Sequence, residues 1–178
     1  NLSSSSKKID FVIFDKLLPI FKSNFNNINI YKKSEILENK YDYKISIGSL
    51  NKYFYKDNNS NSSDLINLSS DKKDHSKLFL NNKKKNIGLV WSGNFFGPRE
   101  PYRSIELKNF KNLLNFDLNF YSFQNEIWDR DKEFFLKSNI IDLSKENFVD
   151  MIGIIKKLDL MISTDTFFLH LACVCNKE

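Results

Sequence analysis

Leu158-Asp159-Leu160-Met161-Ile162-Ser163-Thr164-Asp165-Thr166-Phe167-Phe168-Leu169-His170-Leu171 is two apolar segments around a hydroxyl-rich centre. The first, Leu158 to Ile162, is a continuous apolar run of the kind that forms a strand buried on both faces. After Ser163-Thr164-Asp165-Thr166 the period changes: Phe167, Leu171 and Val174 recur at i, i+4 and i+7, the spacing of one helical face. The unit is strand, tight turn, helix. In parallel α/β sheets ligands sit at the carboxyl ends of strands, which is where Thr164, Asp165 and Thr166 are expected.

The first-turn amides of a helix lack intrahelical partners and carry partial positive charge, so with flanking hydroxyls they form an anion site suited to phosphate. His170 follows Thr166 by one helical turn and is expected on the same side, within reach of a ligand across the helix start. Asp165 repels a phosphate and suits sugar hydroxyls better. Spacing leaves alternatives open. Ser-Thr-Asp-Thr is also an ordinary helix cap, and His170 also fits a half-buried structural histidine.

The rest of the chain decides how that unit is embedded. With 178 residues, 41% hydrophobic and 15% aromatic, it is long and apolar enough to bury a core. It has no initiator Met and stops a few residues beyond the central helix, so it reads as an internal fragment of a longer protein. No apolar run is long enough to span a bilayer and no signal pattern opens it; the expected location is cytoplasmic, or at the inner face of a membrane. Cys173 and Cys175 sit two apart on the expected helix and point apart, against a metal site with His170, and no metal ligand set is assigned. The net charge of +5 draws on Lys72-Lys73 and Lys83-Lys84-Lys85, runs without interleaved aromatics that read as solvated loop rather than a nucleic-acid stripe.

In chain order, Ile9–Phe14 reads as a strand, Lys16–Phe25 as a helix with Pro19 in its first turn, Ile28–Tyr31 as a second strand, and Tyr43–Ile47 as a third. Residues 1–50 are therefore the tail of one α/β domain. Residues 51–86, with Asp57-Asn58-Asn59-Ser60-Asn61-Ser62-Ser63-Asp64 at their centre, are too polar for a core and read as a loop and linker. Residues 87–178 form a second α/β unit. Ile87–Trp91 is its buried first strand, Ser104 is placed to cap a helix over Glu106–Leu114, and Asn119–Phe123 is the next strand. Asp131–Lys137 is helical, Ile140–Leu143 a short strand, and Asn147–Lys157 the helix before the central strand.

Strict alternation predicts a parallel sheet, with the turns at Gly93, Gln124 and Thr164 on one edge. There Gly93 permits close backbone approach, Asn94 offers donor and acceptor, and Arg99 or Arg103 supplies charge-assisted bonds to phosphate.

Four blocks in order carry a resemblance: Ile87-Gly88-Leu89-Val90-Trp91-Ser92-Gly93-Asn94, Tyr102-Arg103-Ser104-Ile105, Tyr121-Ser122-Phe123-Gln124, and Leu158 to Thr166 with His170-Leu171-Ala172. Together they resemble the nucleotide-sugar-binding half of bacterial GT-B glycosyltransferases. The pattern is that of the domains found behind tetratricopeptide repeats and related to the ADP-heptose heptosyltransferases of lipopolysaccharide synthesis. Tyr41-Asp42 and Ser49-Leu50 resemble the end of that family's N-terminal domain more loosely, and the chain departs from the pattern at Glu106, Cys173 and Glu178.

The resemblance implies a GT-B-like α/β fold of two Rossmann-like domains, both incomplete here. The implied activity is metal-independent transfer of a sugar from a nucleotide-diphosphate donor to a glycan or protein acceptor, with no cofactor. By correspondence, Thr164 and Thr166 hold the donor diphosphate, Asp165 and His170 contact the donor, Arg103 neutralises the leaving group, and Asn94 and Gln124 line the cleft. The family's general base lies largely in its N-terminal domain, so no catalytic residue is named. Two other functions stay open: a non-catalytic nucleotide-sugar or glycan-binding module of a repeat protein, and a basic nucleic-acid-binding protein.

Overall fold

The computed structural model describes residues 8–35, 40–50, 52, 68–69, 75–79, 83–97, 100 and 102–178. The chain divides into two units, Asn1–Leu65 and Ile66–Glu178.

The first unit contains β1 (Asp10–Ile13), α1 (Leu18–Asn24) and β2 (Asn29–Lys32). The strands are parallel, with Asp10 opposite Asn29 and Ile13 opposite Lys32. Pro19 sits in the first turn of α1, where its missing N–H breaks no bond. Ile20 and Ile30 are buried, and the Phe11 ring stacks on Phe21 at 5.5 Å. Asp10 staples the pair of strands. One carboxylate oxygen accepts from Asn29 Nδ2 at 2.8 Å and the other from the Tyr41 hydroxyl at 2.7 Å. Burial pushes this carboxyl up, but the bonds from Tyr41, Asn29 and Lys8 outweigh it and hold the group below the ordinary aspartate range.

Tyr43–Ile47 is not a strand. Residues 43–46 pair with no described strand, Ile47–Ser49 closes into a 3-10 turn, and Tyr43, Ile45 and Ile47 are all exposed. Alternation marks a segment able to pair, but a strand forms only where a sheet edge accepts its ladder.

The second unit is built on β3 (Asn86–Val90), β4 (Asn119–Ser122), β5 (Ile141–Asp142) and β6 (Leu160–Ser163), all parallel, in the order β5-β4-β3-β6. Between them come α2 (Lys111–Leu114), α3 (Asp129–Lys137) and α4 (Phe148–Lys157), with α5 (Phe167–Val174) after β6. The parallel α/β expectation holds here. The chain starts in the middle at β3, runs outward to β5, then crosses back to lay β6 on the other side of β3. Strands β3, β4 and β5 have the order of one mononucleotide-binding half of a doubly wound sheet, and β6 beyond the reversal takes the place of the first strand of the other, compatible with a Rossmann-like fold.

Period-2 alternation distributes the core. Ile87, Leu89 and Trp91 point to one face of the sheet, where they pack with Leu107, Phe120 and Ile140 and with Phe110, Phe134 and Phe135. Gly88 belongs to the other face. A Cβ on it would lie 2.7 Å from Leu158 Cδ1 and 2.8 Å from Met161 Sδ, so its lack of a side chain is what lets those two close over the strand. Helix α4 is buried continuously from Val149 to Ile155 and is capped by Asn147, whose Oδ1 accepts from Asp150 N at 2.9 Å.

Three expectations about these elements need correction. Ser104 does not cap the helix after it. That helix begins as a 3-10 turn at Leu107–Phe110, and the Leu107 amide donates instead to Asp131 Oδ1 at 2.9 Å, a carboxylate brought from α3. The buried face of α5 is Phe168, Leu171 and Ala172, while Phe167 and Val174 are 36% and 39% exposed. Both registers are apolar in sequence; Phe168 is buried where it packs edge-on against Phe123 at 5.4 Å, while Phe167 packs edge-on against Phe148 at 5.1 Å and stays part-exposed. Finally, β6 is the last strand in the described sheet order and is not buried throughout. Leu160 is exposed, and the Met161 amide donates to the Glu178 carbonyl at 2.7 Å.

Most of 51–86 lies outside the described residues, but Leu68, His75 and Phe79 are buried, and the Tyr121 hydroxyl donates to Leu78 O. The end of that stretch is part of the second unit and packs within it. Among the described residues no helix is long and apolar enough to cross a membrane.

Candidate functional site

Sheets with this strand order bind ligands where the order reverses, outside the carboxyl ends of the two central strands. Here that crevice lies between β3 and β6, whose ends are joined: the Thr164 amide donates to Val90 O at 2.9 Å. Two loops rise from it. One, after β3, carries Gly93, Asn94, Glu100, Arg103 and Ser104. The other, after β6, carries Thr164, Asp165 and Thr166 and leads into α5.

Arg103 connects the loops. Its Nη1 donates to the Asp165 carbonyl at 3.3 Å, while Nη2 lies 3.6 Å from Glu100 Oε1. The guanidinium is 31% exposed, but the Glu100 carboxylate only 2%. Glu100 Oε2 accepts from the Ser104 hydroxyl, which in turn accepts from the Gly93 amide at 3.3 Å. Gly93 was expected to let a ligand approach. Instead the chain's own side chains occupy that space: a Cβ on Gly93 would lie 2.3 Å from Glu100 Oε1 and 3.2 Å from Arg103 Nη2.

On the facing loop Ser163 Oγ donates to Thr164 O at 2.7 Å and shares a hydrogen bond with Thr166 Oγ1 at 3.0 Å. Thr166 is the N-cap residue of α5, yet its side chain does not cap that helix; the Leu169 amide donates to the Thr166 carbonyl at 3.2 Å, and the amides of Phe167 and Phe168 are those of the first turn that an anion could use. Asp165 and His170 meet each other at 3.5 Å at the surface, both well exposed.

The remaining expected residues serve the chain itself. Asn94 Oδ1 accepts from Phe96 N and its carbonyl from Gly97 N, which shapes the turn after β3. Gln124 is buried and wholly engaged. Its Oε1 accepts from the Trp91 and Ser92 amides, and its Nε2 donates to Ser92 O and Oγ. It clamps the ends of β3 and β4 together. Arg99 lies outside the described residues.

Buried polar atoms without a partner concentrate here. Among the described residues five side-chain atoms are buried without a hydrogen bond; Glu100 Oε1, Arg103 Nε and Thr164 Oγ1 are three of them, and all belong to this crevice. Such atoms cost stability unless a further partner reaches them.

Glu100 and Asp131 escaped the sequence reading. The only trace of the first is its spacing three residues before Arg103. Elsewhere, Lys84 and Lys85, at the opposite end of β3, pair with Asp117 and Asp159. Cys173 is exposed and burial pushes the Cys175 thiol up; among the described residues no three His, Cys, Asp or Glu side chains converge on a metal position. Comparison with family models, curated proteins and solved structures finds no match to this chain.

Proposed function

We propose that this chain carries the donor half of a GT-B-like glycosyltransferase, resembling the tetratricopeptide-associated and heptosyltransferase-related enzymes. It moves a sugar from a nucleotide-diphosphate donor to a glycan or protein acceptor. The observation that carries the reading is Arg103 bridging the β3 and β6 loops beside an α5 N-terminus that the Thr166 side chain leaves uncapped. An acceptor hydroxyl attacks the sugar C1 and gives its proton to a general base on the acceptor side, the bond from C1 to the phosphate oxygen breaks, and the electron pair leaves on the diphosphate. Arg103, the first amides of α5, Thr164 and Thr166 stabilise that developing charge. Asp165 and His170, at the exposed mouth, are placed for donor hydroxyls.

The test is titration of the full chain with UDP, GDP and ADP, in parallel with Arg103→Ala and Thr166→Ala. One nucleotide is expected to bind in the micromolar range, with a loss of about 1–3 kcal/mol in each variant. A folded chain that binds none of the three overturns the proposal.

A further inference from the structure

Arg103 points at the crevice because something beneath it holds it there. Two glycines leave room for it: a Cβ on either Gly93 or Gly97 would lie 3.2 Å from Nη2. The contact that fixes the guanidinium from below is Glu100, whose carboxylate is shut off from solvent and bound through Oε2 to Ser104. Ser104 is in turn bound to the Gly93 amide at the end of β3. A chain of contacts therefore runs from strand to serine to carboxylate to guanidinium.

A buried carboxylate whose Oε1 makes no hydrogen bond and lies 3.6 Å from an arginine has an unfavourable consequence for an anion site, because it cancels part of the charge the anion needs. Its retention makes sense if geometry matters more than net charge. A guanidinium held in one orientation loses less conformational freedom when it binds, and its planar fork must face phosphate to bond it in two places.

We infer that Glu100 is a positioning residue: with Ser104 and the bare backbone of Gly93 it holds Arg103 toward the β3–β6 crevice, ready to exchange the Asp165 carbonyl for an anionic oxygen. Its ligand is the diphosphate of the donor-site reading above, on which this inference rests for its binding arm. Glu100 does not touch the ligand.

The sign of one substitution separates positioning from charge. Glu100→Gln keeps the shape and removes a negative charge 3.6 Å from Arg103, so electrostatics alone predicts tighter anion binding. Positioning predicts weaker binding, by about tenfold for the best-bound of UDP, GDP and ADP. Gly93→Ala displaces the carboxylate without changing any charge and is expected to weaken binding similarly. In an Arg103→Ala background neither substitution should matter by more than about twofold.

A second arm needs no ligand. The chain has three arginines, Arg99, Arg103 and Arg130, so the guanidinium Nε–H region of a 15N–1H spectrum is simple to assign. Arg103 is expected to give a distinct, motionally restricted signal that moves to the averaged position of exposed arginines in Glu100→Gln and in Gly93→Ala, with thermal unfolding confirming that both variants are folded. Glu100→Gln binding as tightly as the parent, or an unchanged Arg103 signal in both variants, overturns the inference. A parent chain that binds no nucleotide overturns the donor-site reading, while the Arg103 signal still decides the role of Glu100.

Discussion

Asp131 Oδ2 accepts the indole N–H of Trp91 at 3.1 Å, with the carboxylate 1% exposed and the indole fully buried. The same carboxylate receives the Leu107 amide through Oδ1, so one side chain on α3 satisfies both the end of β3 and the start of the helix that follows. Asp131→Ala leaves two buried donors unpaired and is expected to destabilise the second unit by about 2–4 kcal/mol. A lower urea midpoint at unchanged slope is the readout. A loss below about 0.5 kcal/mol would mean that water replaces the carboxylate.

Gln124 makes the opposite prediction to a ligand contact. All of its side-chain bonds run to Trp91 and Ser92. Gln124→Ala should cost about 1–3 kcal/mol of stability by stranding those groups. Nucleotide affinity should fall only as far as the unfolded fraction rises. Strong loss of binding in a variant of parental stability would make it a donor contact after all.

Thr164 separates fold from function in the other direction. Its hydroxyl is buried without a partner, so Thr164→Val, which keeps the shape, should leave stability equal or raise it by up to about 1 kcal/mol. If the hydroxyl serves a bound phosphate, the same variant loses about 1 kcal/mol of nucleotide affinity. Thr164→Ser should retain most of it. Paired chemical denaturation and calorimetric titration check both halves.

Asp159 supplies a pH dependence. Its carboxylate accepts from Lys85 Nζ at 2.7 Å and from the Asn86 amide at 2.8 Å, and these bonds hold its pKa below the ordinary aspartate value. A depressed folded pKa means stability that is present above the unfolded value of about 4 and lost as pH falls through the folded one. The acid limb of stability against pH should therefore be shallower in Asp159→Asn. An identical limb in parent and variant would show that the pair is open in solution.

Much of the second unit is legible without coordinates because its information is local. A continuous apolar run after a polar turn, as at Ile87–Trp91, has few ways to be buried other than as a central strand. Alternation with helical segments leaves a parallel sheet as the consistent arrangement. The edge holding Gly93, Gln124 and Thr164 follows from direction alone, since all the strands run the same way.

What remained hidden depends on distance in space rather than in sequence. Tyr43–Ile47 alternates as a strand should, yet whether it becomes one depends on an edge to pair with. Phe167 and Phe168 are equally apolar, and which of them is buried depends on rings brought from elsewhere, Phe123 against Phe168 and Phe148 against both. Ser104 looks like a cap and Gln124 like a ligand contact. Asp131 takes over the cap from 24 residues away, and Gln124 faces inward because two strand-end amides need an acceptor there. The sequence alone determined the order of strands and helices and the edge on which the loops gather, since periodicity and direction are properties of the chain. Tertiary structure alone decided which polar groups on that edge stay open to the crevice and which satisfy buried backbone, because that choice follows from which donors and acceptors packing removes from water.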